Sequence, residues 1–186
     1  MRLALVPVGN SPGKHDASGA FHPEAKRWVA AGGIVACFDN RAAYPKRARA
    51  CLEQVRQYRP ETLAFFCHGL KSSLQAGFRK QANVGELATA CVHAGVERIV
   101  LYACEAGKPG GLAQELHRLS GIPVYAHTTS GHTTRNPYVV VYDRERPLGE
   151  YLVKPGSARW QGWVKALRGH GRFAFPFLPV DAVLSL

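Results

Sequence analysis

Short apolar runs and amphipathic stretches alternate along the chain. Six runs rich in β-branched and aromatic residues recur: LALVPV from Leu3, GIVACFD from Gly33, TLAFFCH from Thr62, ERIVLYAC from Glu97, IPVYAH from Ile122 and PYVVVYD from Pro137. Most are continuous rather than alternating, the pattern of strands covered on both faces, as in a parallel sheet with helices above and below. The intervening segments have helical spacing. Val84, Leu87, Ala88 and Cys91 fall at i, i+3, i+4 and i+7 behind an Asn83-x-x-Glu86 capping box, while Leu112, Leu116 and Leu119 lead to a terminating Gly121. Residues 23–31 and 42–59 read the same way, and His93 and His117, inside such helices, read as surface residues. The order β-α-β-α-β-α-β-α-β-β, closing in a helix, predicts with right-handed crossovers an α/β three-layer doubly wound sandwich. About six mostly parallel strands would carry helices on both faces.

No internal repeat, low-complexity tract or linker interrupts the order, and 186 residues suit one domain, 1–186. Toward the end, Trp160, Trp163 and Leu167 make a helical stripe before the apolar tail GRFAFPFLPVDAVLSL. Segment 157–186 is expected to pack on the domain, with a partner-docking patch as the alternative. At 46% apolar and 20% charged residues the chain can bury a core without disulfides or a structural metal. Leu3 to Val8 is followed by Gly9, Asn10 and Pro12, and no run approaches the ~18 apolar residues of a membrane span. Neither a membrane nor a secretory leader is expected. Cys37, Cys51, Cys67, Cys91 and Cys104 form no CxxC pair and are odd in number, which suits the reducing cytoplasm. The 24 Lys and Arg against 13 Asp and Glu give +11. The densest stretch, Lys46, Arg47 and Arg49 followed by Arg56 and Arg59, reads as a solvated helix face rather than a dedicated nucleic-acid surface, with weak non-specific binding to polyanions expected.

In open α/β sheets ligands bind beyond the carboxyl ends of the strands, so the residues closing each strand carry the chemistry. They are Gly9-Asn10, Asp39-Asn40, His68-Gly69, Cys104, and His127-Thr128-Thr129-Ser130. Neighbouring strands ending in His68 and Cys104 would bring an imidazole and a thiol to one rim, a base and a nucleophile. After Cys104 the turn Glu105-Ala106-Gly107-Lys108-Pro109-Gly110-Gly111 opens a helix, so its N–H groups, with that of Gly69, are natural oxyanion donors. Cys37, Cys67, Cys51 and Cys91 read instead as buried small hydrophobes. The residues alone leave two readings open, a catalytic pair or two unrelated strand-end residues. The loop GNSPGKHDASGAFHPEA, with Asn10, Lys14, His15 and Asp16, imitates a phosphate loop. Three residues rather than four separate Gly9 from Gly13-Lys14, and His15 follows, which excludes a nucleoside triphosphatase.

LAFFCHG, an apolar strand closing in His-Gly, followed by VLYACEAG, an apolar strand closing in Ala-Cys-x-x-Gly, resembles the caspase-like cysteine peptidases: caspases, metacaspases, gingipains, legumains and CHAT domains. The resemblance covers residues 62–131 well and the rest loosely. It implies a general base after the third strand and a nucleophile after the fourth, with no obligatory third member, and His68 and Cys104 hold those places in that order. Tyr102 stands where caspases and metacaspases commonly carry Gln or Asp, so substrate preference does not carry over. No activation-cleavage linker is evident.

The resulting expectation is a cysteine peptidase, or a peptidase-like acyl-transfer enzyme, acting on a peptide or protein substrate with no cofactor and no metal. Cys104 is the nucleophile, His68 the base and acid, and the Gly69 and Cys104 N–H groups the oxyanion donors. Asp16, Tyr102, His127, Thr128, Thr129 and Ser130 would bind substrate, with Asp39 as an alternative wall. Asp16, the carboxylate of that pocket set, points to a basic P1 residue through charge-assisted hydrogen bonds. Two other classes compete. One is a non-catalytic domain binding nucleic acid or protein through its basic surface; the other is a metal hydrolase with His68, Cys104, His127 and Asp16 or Asp39 as ligands. Ligand spacing of the HxxxH or CxxC kind does not support the latter.

Overall fold

The computed structural model describes residues 1–9, 18–29, 32–129 and 139–152, together with the isolated helical positions 158 and 161. Its elements run β1 (Arg2–Pro7), a 3₁₀ turn (Ser18–Phe21), α1 (His22–Val29), β2 (Ile34–Phe38), α2 (Tyr44–Tyr58) and β3 (Thr62–Phe66). There follow β4 (Gly69–Leu70), β5 (Ser73–Leu74), α3 (Val84–Ala94), β6 (Arg98–Tyr102), α4 (Leu112–Ser120), β7 (Val124–His127), β8 (Val139–Tyr142) and β9 (Glu150–Tyr151). Among the described residues these form a seven-stranded sheet ordered β2-β1-β3-β6-β7-β8-β9 and a small β4-β5 ribbon. The five strands from β2 to β7 pair in parallel, and β8 and β9 add antiparallel. The predicted α/β class and its helix-covered, mostly parallel sheet are thus present, with β9 and the ribbon added.

Strand parity divides the core in two. Leu3, Leu5, Leu63, Phe65, Ile99 and Leu101 face α2, α3 and α4, which bring Cys51, Leu52, Val55, Leu87, Cys91 and Leu116. Ala4, Val6, Ala64, Phe66, Val100 and Tyr102 face the opposite side, where Phe21 and the α1 residues Ala25, Trp28 and Val29 cover them. Burying both faces explains the continuous apolar strands. The chain leaves β1 toward β2 but leaves β3 toward β6, so the order reverses between β1 and β3, the place where open α/β sheets form a crevice.

Several local expectations are corrected. Asn83 takes the N-cap position of α3, but its side chain accepts from Arg79 N–H (2.8 Å) and donates to the Gly77 carbonyl (3.0 Å), closing the preceding turn instead of capping the helix. His117 is buried, not on the surface: its Nδ1 lies 2.8 Å from the Ile122 carbonyl and, since a carbonyl only accepts, carries the proton. Cys37 is exposed because β2 is an edge strand, half-covered along most of its length. Of the terminal segment 157–186, only 158 and 161 are described, so Trp160, Trp163, Leu167 and the tail lie outside the described residues.

Candidate active site

The register of the two central strands brings the candidate base and nucleophile level. Phe66 of β3 pairs with Tyr102 of β6, and Cys67 N–H still donates to the Tyr102 carbonyl at 3.3 Å. Two residues beyond that pair lie His68 and Cys104. Because side chains alternate along a strand, both continue the α1-side rows, His68 after Ala64 and Phe66, Cys104 after Val100 and Tyr102. Packing agrees with parity. The His68 imidazole meets the Phe21 ring edge-on, centroids 5.2 Å apart and planes at 80°, and Cys104 packs against the same α1-side cluster. Neighbouring strands are about 4.8 Å apart, so the imidazole and thiol share one rim.

Gly69 lets the two strand ends approach. A Cβ there would lie 2.7 Å from the Ala103 Cβ and 2.9 Å from the Cys104 carbonyl oxygen, so any side chain would force the loops apart. Gln75 N–H donates to the His68 carbonyl, which makes Gly69↔Leu74 a non-hydrogen-bonded pair and keeps Gly69 N–H out of the ribbon's ladder. The turn after Cys104 does not act as expected. Glu105 N–H donates to the Thr129 carbonyl (3.2 Å), Gly107 N–H to that of His127 (2.7 Å), and Leu112 N–H to that of Lys71 (2.8 Å). These amides brace the turn against β7 and the ribbon, and the next amide of α4, that of Ala113, donates to the Ala106 carbonyl at 3.1 Å. Glu105 itself is in the left-handed region (φ 59°), and Gly107 fits where a Cβ would meet Val140 and the Ala126 backbone.

The remaining predicted residues separate by burial. Tyr102 is 1% exposed and stacks on Phe66 with centroids 4.2 Å apart, so its ring belongs to the core beneath the rim. His127 and Thr128 are also buried, with the Tyr151 hydroxyl 3.4 Å from Thr128 Oγ1. Burial pushes the His127 imidazole down to about 3, so it stays neutral near pH 7. Thr129 is half-buried and lends its carbonyl to Glu105. Asp39 is exposed at the end of β2, where a carboxylate oxygen accepts Arg41 N–H at 2.9 Å, and β1 and β3 separate its strand from Cys104's. Asp16 and Ser130, like Asn10, Lys14 and His15, lie outside the described residues.

The other thiols contrast with Cys104, which is half-buried. Burial pushes Cys67 and Cys91 up to about 12 and raises Cys51 further, so all three stay protonated and inert near neutrality. Among the described residues no group of three or more His, Cys, Asp or Glu side chains could hold a metal ion. Among the described residues, one cavity of about 530 Å³ lies beside the α4 N-terminus and Arg144, and another of about 490 Å³ lies between α2 and α3. Neither touches His68 or Cys104. Gln75, Ser18 and Phe21, which hold His68 in place, were not legible in the sequence, since none sits in a periodic segment or recognisable motif. No known family model matches the chain, and no curated protein is significantly similar to it in sequence.

Proposed function

We propose that this protein is a cysteine peptidase of the caspase-like kind, and the observation that carries the reading is the level, same-face placement of His68 and Cys104 at the ends of adjacent parallel strands. His68 takes the Cys104 thiol proton, and the thiolate attacks the substrate carbonyl carbon. The Gly69 and Cys104 N–H groups receive the oxyanion. As the tetrahedral intermediate collapses, the C–N bond breaks, His68 delivers its proton to the leaving amine, and an acyl-enzyme thioester remains. Water, deprotonated by His68, then hydrolyses the thioester and restores the thiol. Cleavage after Arg or Lys is the preference that Asp16 suggests. The free, buried thiols Cys51, Cys67 and Cys91 support a cytoplasmic setting; no helix among the described residues is long and apolar enough to cross a membrane.

A second reading, a non-catalytic domain that binds polyanions, is favoured by one observation: Lys46, Arg49, Arg56 and Arg59 are all exposed along and just beyond α2. A peptide-library cleavage assay on the wild type and the Cys104→Ala variant separates the two. Turnover that disappears in the variant supports the peptidase; no turnover of any library member, or turnover that survives the substitution, overturns it.

A further inference from the structure

His68 lies on a short connection between β3 and the ribbon, and one residue, Gln75, links that connection to its surroundings through three hydrogen bonds. Gln75 Oε1 accepts the His68 N–H at 3.2 Å, the Gln75 N–H donates to the His68 carbonyl at 2.9 Å, and Gln75 Nε2 donates to Ser18 Oγ at 2.9 Å. Ser18 is fully buried and opens the 3₁₀ turn that ends in Phe21, the ring packed edge-on against the His68 imidazole. Gln75 therefore ties both backbone polar groups of His68 to the turn that supports its ring.

Gln75 is itself anchored on α2. Arg47 Nη1 donates to the Gln75 carbonyl at 3.0 Å while Arg47 Nε donates to the Ala42 carbonyl at 2.7 Å. Two residues on, Gly77 (φ 98°) lies so close to α2 that a Cβ would overlap the Tyr44 carbonyl and come within 2.8 Å of Ala48 N. Only glycine fits that approach.

We propose that Gln75 is a positioning residue for the general base. It clasps the His68 backbone between the α2-anchored ribbon and the Ser18–Phe21 turn, and so aims the imidazole at Cys104. Gln75 touches neither the thiol nor substrate, and its role rests on the reading of His68 and Cys104 as base and nucleophile. A base on an unbraced two-residue connection would wander, and misplacement by about 1 Å can cost on the order of a hundredfold in rate.

The test is the pH dependence of Cys104 alkylation by iodoacetamide, located by mass spectrometry, in wild type, His68→Ala, Gln75→Leu and Gln75→Glu, alongside kcat and KM. Leu keeps the bulk and removes both side-chain bonds; a Glu carboxylate still accepts from His68 N–H and Ser18 O–H. The expected result is a neutral-pH reactivity that requires His68 and collapses toward the His68→Ala profile in Gln75→Leu. In the same variant kcat falls roughly tenfold to a hundredfold with KM little changed, and Gln75→Glu restores both. A wild-type-like profile and kcat in a folded Gln75→Leu overturn the clasp and leave the base and nucleophile standing. A wild-type profile already identical to that of His68→Ala overturns the pairing, and the clasp with it. Should Gln75→Leu fail to fold, Ser18→Ala decides. It removes only the far end of the clasp, so a smaller shift in the same direction supports the proposal and an unchanged profile contradicts it.

Discussion

Two histidines close parallel strands in this molecule, His68 after β3 and His127 at the end of β7, and their surroundings are opposite. His127 lies in the sheet itself, 2% exposed, its ring 6.0 Å from that of Tyr102, and burial holds it neutral. His68 lies two residues past its strand, half-exposed, with one edge of its ring against Phe21. The cysteines repeat the contrast. Cys67 is the last core residue before His68, facing α2 and α3, whereas Cys104 has the opposite parity and reaches the rim. Strand parity and distance past the last ladder bond, more than residue type, separate the groups that reach the rim from those held in the core.

The largest expected effect comes from the rim pair. Cys104→Ala and His68→Ala should each lower peptide turnover by roughly a thousandfold or more, with circular dichroism and melting temperature near those of the wild type. Cys67→Ala and Cys91→Ala should do the reverse, costing about 1–3 kcal/mol in urea unfolding while leaving kcat unchanged. Loss of turnover in a folded Cys67→Ala would erase the distinction between the two cysteines.

Gly69→Ala should affect both properties. Its Cβ would press on the buried Ala103 and on the Cys104 carbonyl, so a loss of about 1–3 kcal/mol and a fall in kcat are expected; a neutral substitution would mean the two loops are less closely fitted than they stand here. The His127 prediction concerns acid. Its folded value near 3 lies below the ordinary value of about 6.5, so between those pH values the unfolded chain binds the proton and the folded protein does not. The stability contributed by neutral His127 is complete above pH 6.5 and declines as pH falls toward 3. Urea unfolding from pH 7 to 4 should therefore show a shallower acid decline in His127→Gln than in wild type, and parallel curves would contradict its burial as a neutral group. The smallest effect is on polyanions: binding to a random oligonucleotide should be weak and fade with rising salt, since counterion release rewards any dispersed basic surface. Tight binding to one sequence at physiological salt would favour the non-catalytic reading.

Much of the fold was legible because both faces of the sheet are buried, and continuous apolar runs such as Thr62–Phe66 and Arg98–Tyr102 say so directly. Strand β9 and the β4-β5 ribbon were not, since two-residue strands carry no period. At the site, His68 and Cys104 could be named from their positions at strand ends. The fate of the Gly-rich turn after Cys104 could not, because its amides are claimed by carbonyls at the end of β7, a contact no local pattern encodes. The same holds for Tyr102: its place before the nucleophile suggested a pocket wall, but alternation turns its ring onto Phe66. His117 likewise sits on an amphipathic helix whose polar-looking position is closed over by the following turn at Ile122.

The central claim, that His68 activates Cys104 toward a peptide carbonyl, is tested most directly by labelling the wild-type protein with a panel of electrophilic peptides and locating the adduct by mass spectrometry. Cys37 is exposed and serves as an internal control for an accessible thiol on an edge strand. The account predicts a stoichiometric adduct on Cys104 that depends on the peptide portion of the probe and is lost in His68→Ala. Adducts that favour Cys37, or that form on Cys104 equally well without His68, would contradict it.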